Sequence, residues 1–190
     1  MPGELVPFDL IDRCKGGDEV AWAELVELTY REVYTLCLRI LRDPDDAAEA
    51  TQDAYLKAWR GLKGFRGDSQ FTTWLYRVAS NAALSIHRSR KRRRDRESDL
   101  MAENIGEVAS PESTEGSAST RMELDRIDAA LARLPEHHRS AIVLRDIYGL
   151  SMGEIATQHK ISETAAKVRV HRARKRLKDA LFEGEGGDER

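Results

Sequence analysis

The stretch "LSMGEIATQHKISETAAKVRVHRARKRL", Leu150 to Leu177, decides how the C-terminal part of the chain folds. Ser151 is followed three residues later by Glu154, the pairing of a capping box, so a short helix starts at Ser151. Met152, Ile155 and Ala156 form its buried side. The turn "HKIS" places apolar Ile161 between helices, and Ser162 can cap the helix that follows. In that helix Ala166, Val170, Ala173 and Leu177 recur at four- and three-residue steps, which makes an inward stripe and leaves Lys and Arg on the other faces. This layout is a helix-turn-helix. A helix of this kind fits the major groove, its N-terminal side chains reach base edges, and flanking cations neutralise phosphates. The pattern points to duplex DNA.

The formal net charge of the 190 residues is only −2, because the charge is segregated along the sequence. "RSRKRRR", Arg88 to Arg94, is almost wholly basic, and the C-terminal run adds Lys167, Arg169, Arg172, Arg174, Lys175, Arg176 and Lys178. Between them Glu97, Asp99, Glu103, Glu107, Glu112 and Glu115 occur with no Lys or Arg up to Ser119. Two basic surfaces joined by an acidic tether are expected. The chain is 41% hydrophobic and 34% charged, and no apolar run approaches the roughly 20 residues that cross a bilayer, so membrane insertion is not expected. The start, "MPGELVPFDLIDRCKGGDE", lacks the basic and apolar blocks of a secretory signal. Cys14 and Cys37 lie on helical segments and form neither a metal spacing nor a disulfide framework. A cytoplasmic protein without cofactor or metal is expected.

Upstream, Trp22, Leu25, Val26, Val33, Leu36, Cys37, Ile40 and Leu41 make the stripe of a long amphipathic helix that starts at Asp18 and ends at Asp43-Pro44. A second helix runs from Asp45 to about Leu62, with Ala47, Ala50, Ala54 and Ala58 on one side, and stops at Gly61, Gly64 and Gly67. Ser69 can cap a third, in which Phe71, Leu75, Val78, Ala82 and Ile86 face inward before the basic run. Ser98 to Thr120, rich in Ser, Glu, Gly and Ala, reads as a flexible linker. Periodicity resumes at Leu124, Ile127, Leu131 and Leu134, and Pro135 suits the first position of the next helix. The expected fold is all-α, with two small helical domains at 1–95 and 121–184, a flexible acidic linker at 96–120 and a tail at 185–190.

"FRGDSQFTTWLYRVASNAAL", Phe65 to Leu84, resembles the promoter-opening segment of bacterial sigma factors of the extracytoplasmic-function group. "DDAAEATQDAYLKAWRGL", from Asp45, resembles that group's polymerase-binding helix, and "LPEHHRSAIVLRDIYGLSMGEIA" with "KVRVHRARKRL" resembles its promoter-reading C-terminal domain. The resemblance covers nearly the whole chain outside the linker, in the right order. It implies a promoter-specificity subunit that performs no chemistry of its own. Glu49, Gln52 and Asp53 would dock on the clamp helices of the largest subunit of core RNA polymerase. Phe65, Arg66, Ser69, Thr73, Trp74, Arg77 and Asn81 match the positions that hold the melted minus-ten strand, with Arg88 and the arginines beyond it along the phosphates. Trp74 fits packing or DNA contact about equally. Glu163, Thr164, Lys167, Arg169 and Arg172 match the helix that reads the minus-thirty-five element. "HKIS" departs from the Gly-containing turn usual in the group, and "ETAAK" from its "GTVK". An anti-sigma factor covering both domains is a further implied partner.

Two other classes are compatible with parts of the chain. A free-standing helix-turn-helix regulator would bind duplex DNA without polymerase, but needs no strand-capturing segment. A nuclease or recombinase would need a nucleophile or carboxylate cluster, and the adjacent His137 and His138 point to different helix faces with none beside them.

Overall fold

The structure is a computed structural model that describes residues 6–97 and 118–182. The chain divides into two compact units, Met1–Ile105 and Gly106–Arg190, and every element within the described residues is helical.

The first unit holds α1 (Phe8–Lys15), α2 (Glu19–Leu41), α3 (Pro44–Gly61), a 3-10 turn (Leu62–Gly64) and α4 (Phe71–Glu97). Asp18 starts α2: one carboxylate oxygen accepts from the backbone N–H of Val20 and Ala21, each at 3.0 Å, while Arg13 grips the other. α2 stops at Arg42, which takes the left-handed conformation at φ 59°. One residue later Asp43 caps α3, accepting from the Asp46 N–H at 2.9 Å, and Pro44 is the first helical residue. α3 therefore begins one position ahead of the expected Asp45, because a proline there lacks only an N–H that the first turn leaves unused.

α2, α3 and α4 pack on one another. Ala47, Ala50, Ala54 and Ala58 have no exposed surface, and small side chains at that spacing let Leu25, Leu36, Ile40 and Leu75 fill the space around α3. Phe71 and Leu75 are buried as expected, whereas Val78 is half-buried. Trp22, Val26 and Leu41, expected on the core stripe of α2, are also half-buried. The start of α4 differs from expectation. The Gln70 carbonyl accepts the Trp74 N–H at 3.1 Å, so Gln70 holds the cap position, and the hydroxyl of Ser69 is engaged by Arg77 at 3.0 Å instead.

The second unit holds α5 (Ala118–Arg133), α6 (Glu136–Ile142) with a π-helical turn (Val143–Ile147), α7 (Met152–His159) and α8 (Glu163–Phe182). The expected linker, 96–120, is helical at both ends, in α4 and α5; the rest of it and the tail 185–190 lie outside the described residues. Pro135 is the cap of α6 rather than its first residue: its ψ of 141° lies outside the helical region, and its carbonyl accepts the N–H groups of His138 and Arg139. The π turn ends where Gly149 adopts φ 72° and Arg145 donates to the Leu150 carbonyl at 2.8 Å.

The capping box forms as read: the Ser151 N–H donates to Glu154 at 2.7 Å and the Glu154 N–H to the Ser151 hydroxyl at 3.2 Å. Ser162 caps α8 through the Ala165 N–H at 3.2 Å. Ala166, Val170 and Ala173 are buried against α6 and α7, and Leu177 is half-buried below them.

Candidate nucleic-acid interface

The loop between α3 and α4 is built on an aromatic cluster. Phe65 is 7% exposed; it meets Phe71 edge-on at 5.6 Å between ring centroids and Trp74 at 5.4 Å. Lys15 of α1 places its ammonium 5.4 Å from the centre of the Phe65 ring. Phe65 is therefore the support of this loop. Trp74, half-buried, lies over Gly61 at the end of α3 and keeps part of its ring accessible. Gly67 takes φ 83°, a conformation that a side chain would strain.

Arg77 ties the loop to the helix. Its guanidinium donates to the Ser69 hydroxyl across the turn, and Asn81, one helical turn further along the same face, is exposed. Thr73 and Arg88 are half-buried; Arg66 is exposed and lies 3.3 Å from Asp68 in a pair too open to hold it firmly. Beyond Arg88 the basic run is not uniform. Arg90 pairs with Asp43 at 3.1 Å and with the buried Asp46 at 2.6 Å, so its charge is used inside the unit. The Asp43 carboxyl is held below its ordinary range, first by the Asp46 N–H and then by Arg90.

On the other side of α3, a groove of about 830 Å³ runs along α2, lined by Trp22, Val26, Tyr30, Gln52, Leu56 and Trp59 among others. Trp22 packs on Trp59 at 4.9 Å, and the Tyr55 and Thr29 hydroxyls share a hydrogen bond of 2.8 Å at its floor. Glu49 and Gln52 are exposed on its α3 side, and Leu56 is 51% exposed. Asp53 turns to Lys57, 2.6 Å away. Cys37 is buried behind these helices, and burial pushes its thiol up to about 12, which keeps it protonated and unreactive. Cys14 is buried too, and its thiol is shifted the same way.

In the second unit, Glu163, Thr164, Lys167 and Arg172 are exposed on α8, with Lys167 and Glu163 paired at 2.9 Å. Arg169 is half-buried, its guanidinium 2.8 Å from Nδ1 of His159 at the end of α7. Arg174 forms two bonds to Asp146 of the π turn, at 2.9 and 2.5 Å, so it braces α8. The buried His138 of α6 is held at about 4, first by burial and then by the charges of His137, Arg176, Arg169 and Arg172. Sequence spacing gave no sign of the Arg90, Arg174 and His159 pairings, which join residues on different elements. Among the described residues, no group of three or more His, Cys, Asp or Glu is placed to hold a metal ion, and no helix is long and apolar enough to cross a membrane.

Residues 25–93 match the family model for Sigma-70 region 2, and residues 124–177 match that for Sigma-70, region 4. The helical unit with its pinned loop and the helix-turn-helix unit thus define a sigma factor of the sigma-70 family. The chain is 35% identical to the RNA polymerase sigma-H factor of Pseudomonas aeruginosa, an alignment that covers 90% of this chain and 92% of the relative. It is 31% identical to the ECF RNA polymerase sigma factor SigW of Bacillus subtilis, covering 90% and 94%. The solved structure of the sigma factor RpoE with the anti-sigma factor NepR from Bartonella quintana is similar at a TM-score of 0.64 and 25% identity, covering 88% of this chain and 98% of that one. The chain belongs to the extracytoplasmic-function group of the sigma-70 family, the promoter-specificity subunits of bacterial RNA polymerase.

Proposed function

We propose that residues 1–95 bind core RNA polymerase and open the minus-ten element, while residues 121–184 hold the minus-thirty-five duplex. Glu49, Gln52 and Asp53 meet the clamp helices of the largest subunit, and the groove beside them offers the apolar surface that such a contact needs. Trp74, Thr73, Arg66 and Asn81 receive the melted strand; Phe65 holds the loop from beneath; Ser69 and Arg77 fix it; Arg88 follows the phosphates. The Arg77 to Ser69 bond carries this reading, because it ties the loop that holds Phe65 and Arg66 to the helix that carries Thr73, Trp74 and Asn81. Unstacked bases held on such a surface offset the free energy of melting. On α8, Glu163, Thr164, Lys167, Arg169 and Arg172 face the upstream duplex. The protein works in the bacterial cytoplasm by binding alone, with no bond made or broken, and an anti-sigma partner restrains it, as NepR is bound by the similar RpoE.

Run-off transcription from a genomic promoter library, with matched core polymerase in the presence and absence of the protein, tests the reading. Protein-dependent transcripts that share two spaced upstream elements are the expected result. Specific duplex binding by the protein alone, with no transcript from an active core enzyme, would sink it.

A further inference from the structure

The turn that departs from the family pattern also supplies a contact to the reading helix. His159 ends α7 and Arg169 lies in the second turn of α8, ten residues on; the ring Nδ1 and the guanidinium Nη1 are 2.8 Å apart, and both residues are half-buried. A guanidinium has only donors, so Nδ1 must accept through its lone pair, which fixes the ring as neutral with its proton on Nε2. We propose that His159 is a positioning residue that holds Arg169 in its DNA-binding orientation on α8.

The consequence is a difference between the arginines of one helix. Arg172 is exposed, and a long exposed side chain gives up its rotamer freedom when it meets the duplex. Arg169 is already held at one nitrogen, so less freedom is lost and its other N–H groups are presented in a fixed direction. Arg174, in contrast, is turned to Asp146 and serves the fold. His138 lies behind the same face, in the field of Arg169, Arg172 and Arg176, but its ring is buried in α6. His159 is the imidazole that touches the guanidinium.

This inference rests on α8 facing the upstream duplex, and the test separates the two. Holoenzyme made with full-length protein is titrated against a promoter identified by run-off transcription, across a salt series, with His159→Leu, His159→Gln, Arg169→Ala, Arg172→Ala and the His159→Leu/Arg169→Ala double variant. His159→Leu should weaken binding roughly 3- to 10-fold, the range of one ordinary net hydrogen bond, because the bond lost orients Arg169 and does not itself touch the duplex. His159→Gln, whose amide oxygen can accept the same bond, should recover most of the loss. In the Arg169→Ala background, His159→Leu should change nothing further. A loss that persists in that background, or a Gln variant as weak as Leu, overturns the positioning role. So does a weakened Arg169→Ala beside an unaffected His159→Leu. If Arg169→Ala and Arg172→Ala both bind like the parent, the DNA-facing reading of α8 falls, and the positioning role falls with it.

Discussion

The guanidinium of Arg90, on α4, lies 2.6 Å from the carboxylate of Asp46 in the first turn of α3, and that acidic side chain is only 6% exposed. Its other arm reaches Asp43, the cap of the same helix. The helix that carries the strand-facing residues is thereby clasped to the start of the helix proposed to meet polymerase. An acid in the first turn of a helix is favoured by the exposed N–H groups there, and the arginine adds the countercharge that burial demands.

Removing that countercharge should be felt as stability. Arg90→Ala is expected to destabilise the first unit by about 2 to 4 kcal/mol, below the ~3 to 5 kcal/mol for breaking a fully buried pair, because the Arg90 side chain is itself 40% exposed and screened by water. Arg90→Lys should restore only part, since an ammonium cannot span both carboxylates as a planar fork does. Urea unfolding followed by tryptophan fluorescence isolates this unit, because Trp22, Trp59 and Trp74 all lie in it.

Acid should act on the second unit through His138. The unfolded chain takes up a proton near the ordinary value of 6.5, but the folded unit resists until about 4. The unfolded state therefore holds more protons inside that window, so stability is full above pH 6.5, declines as pH falls, and levels off below about 4. Hydrogen exchange of α6 and α8 amides across that range is the measurement, and His138→Gln should flatten the profile.

The two DNA roles should separate by mutation. Asn81→Ala is expected to reduce strand opening several-fold, about 1 kcal/mol, with little change in initial duplex binding. Lys167→Ala or Arg172→Ala should weaken binding at the upstream element and lower the salt slope by about 1. Permanganate footprinting beside gel-shift titration reads both, and equal effects of all three on both steps would refute the division.

Leu56 offers a probe of the groove. It is 51% exposed, so Leu56→Asp should leave the melting temperature almost unchanged. Its affinity for core polymerase should fall about 10-fold if this surface is part of the contact. An unaltered affinity would move the contact away from the groove.

Much of the fold was legible in local pattern. The Ser151 and Glu154 box, the Ser162 cap and the alanines of α3 are set by residues within one or two turns of each other, where sequence spacing fixes geometry. The starts of α4 and α6 were each read one position away from their true caps. Ser69 is as good a cap by composition as any, but Arg77 claims its hydroxyl, and that bond depends on the loop closing back on the helix. The site divided along the same line. Asn81, Thr164 and Arg172 are exposed as expected, whereas Phe65 turned out to be packed, and Arg90, a run-mate of Arg88, is consumed by Asp43 and Asp46 across 47 residues of chain. No spacing rule could reveal that pairing.

Lys160, at φ 55°, adopts the left-handed backbone at the end of α7, where a glycine would be relaxed and a side chain is strained by about 1 kcal/mol. An engineer seeking a more heat-resistant protein would replace it with glycine first. Lys160 is exposed and precedes the Ser162 cap of α8 by two residues, so the exchange would relax the backbone of the turn without touching the buried face of either helix it joins.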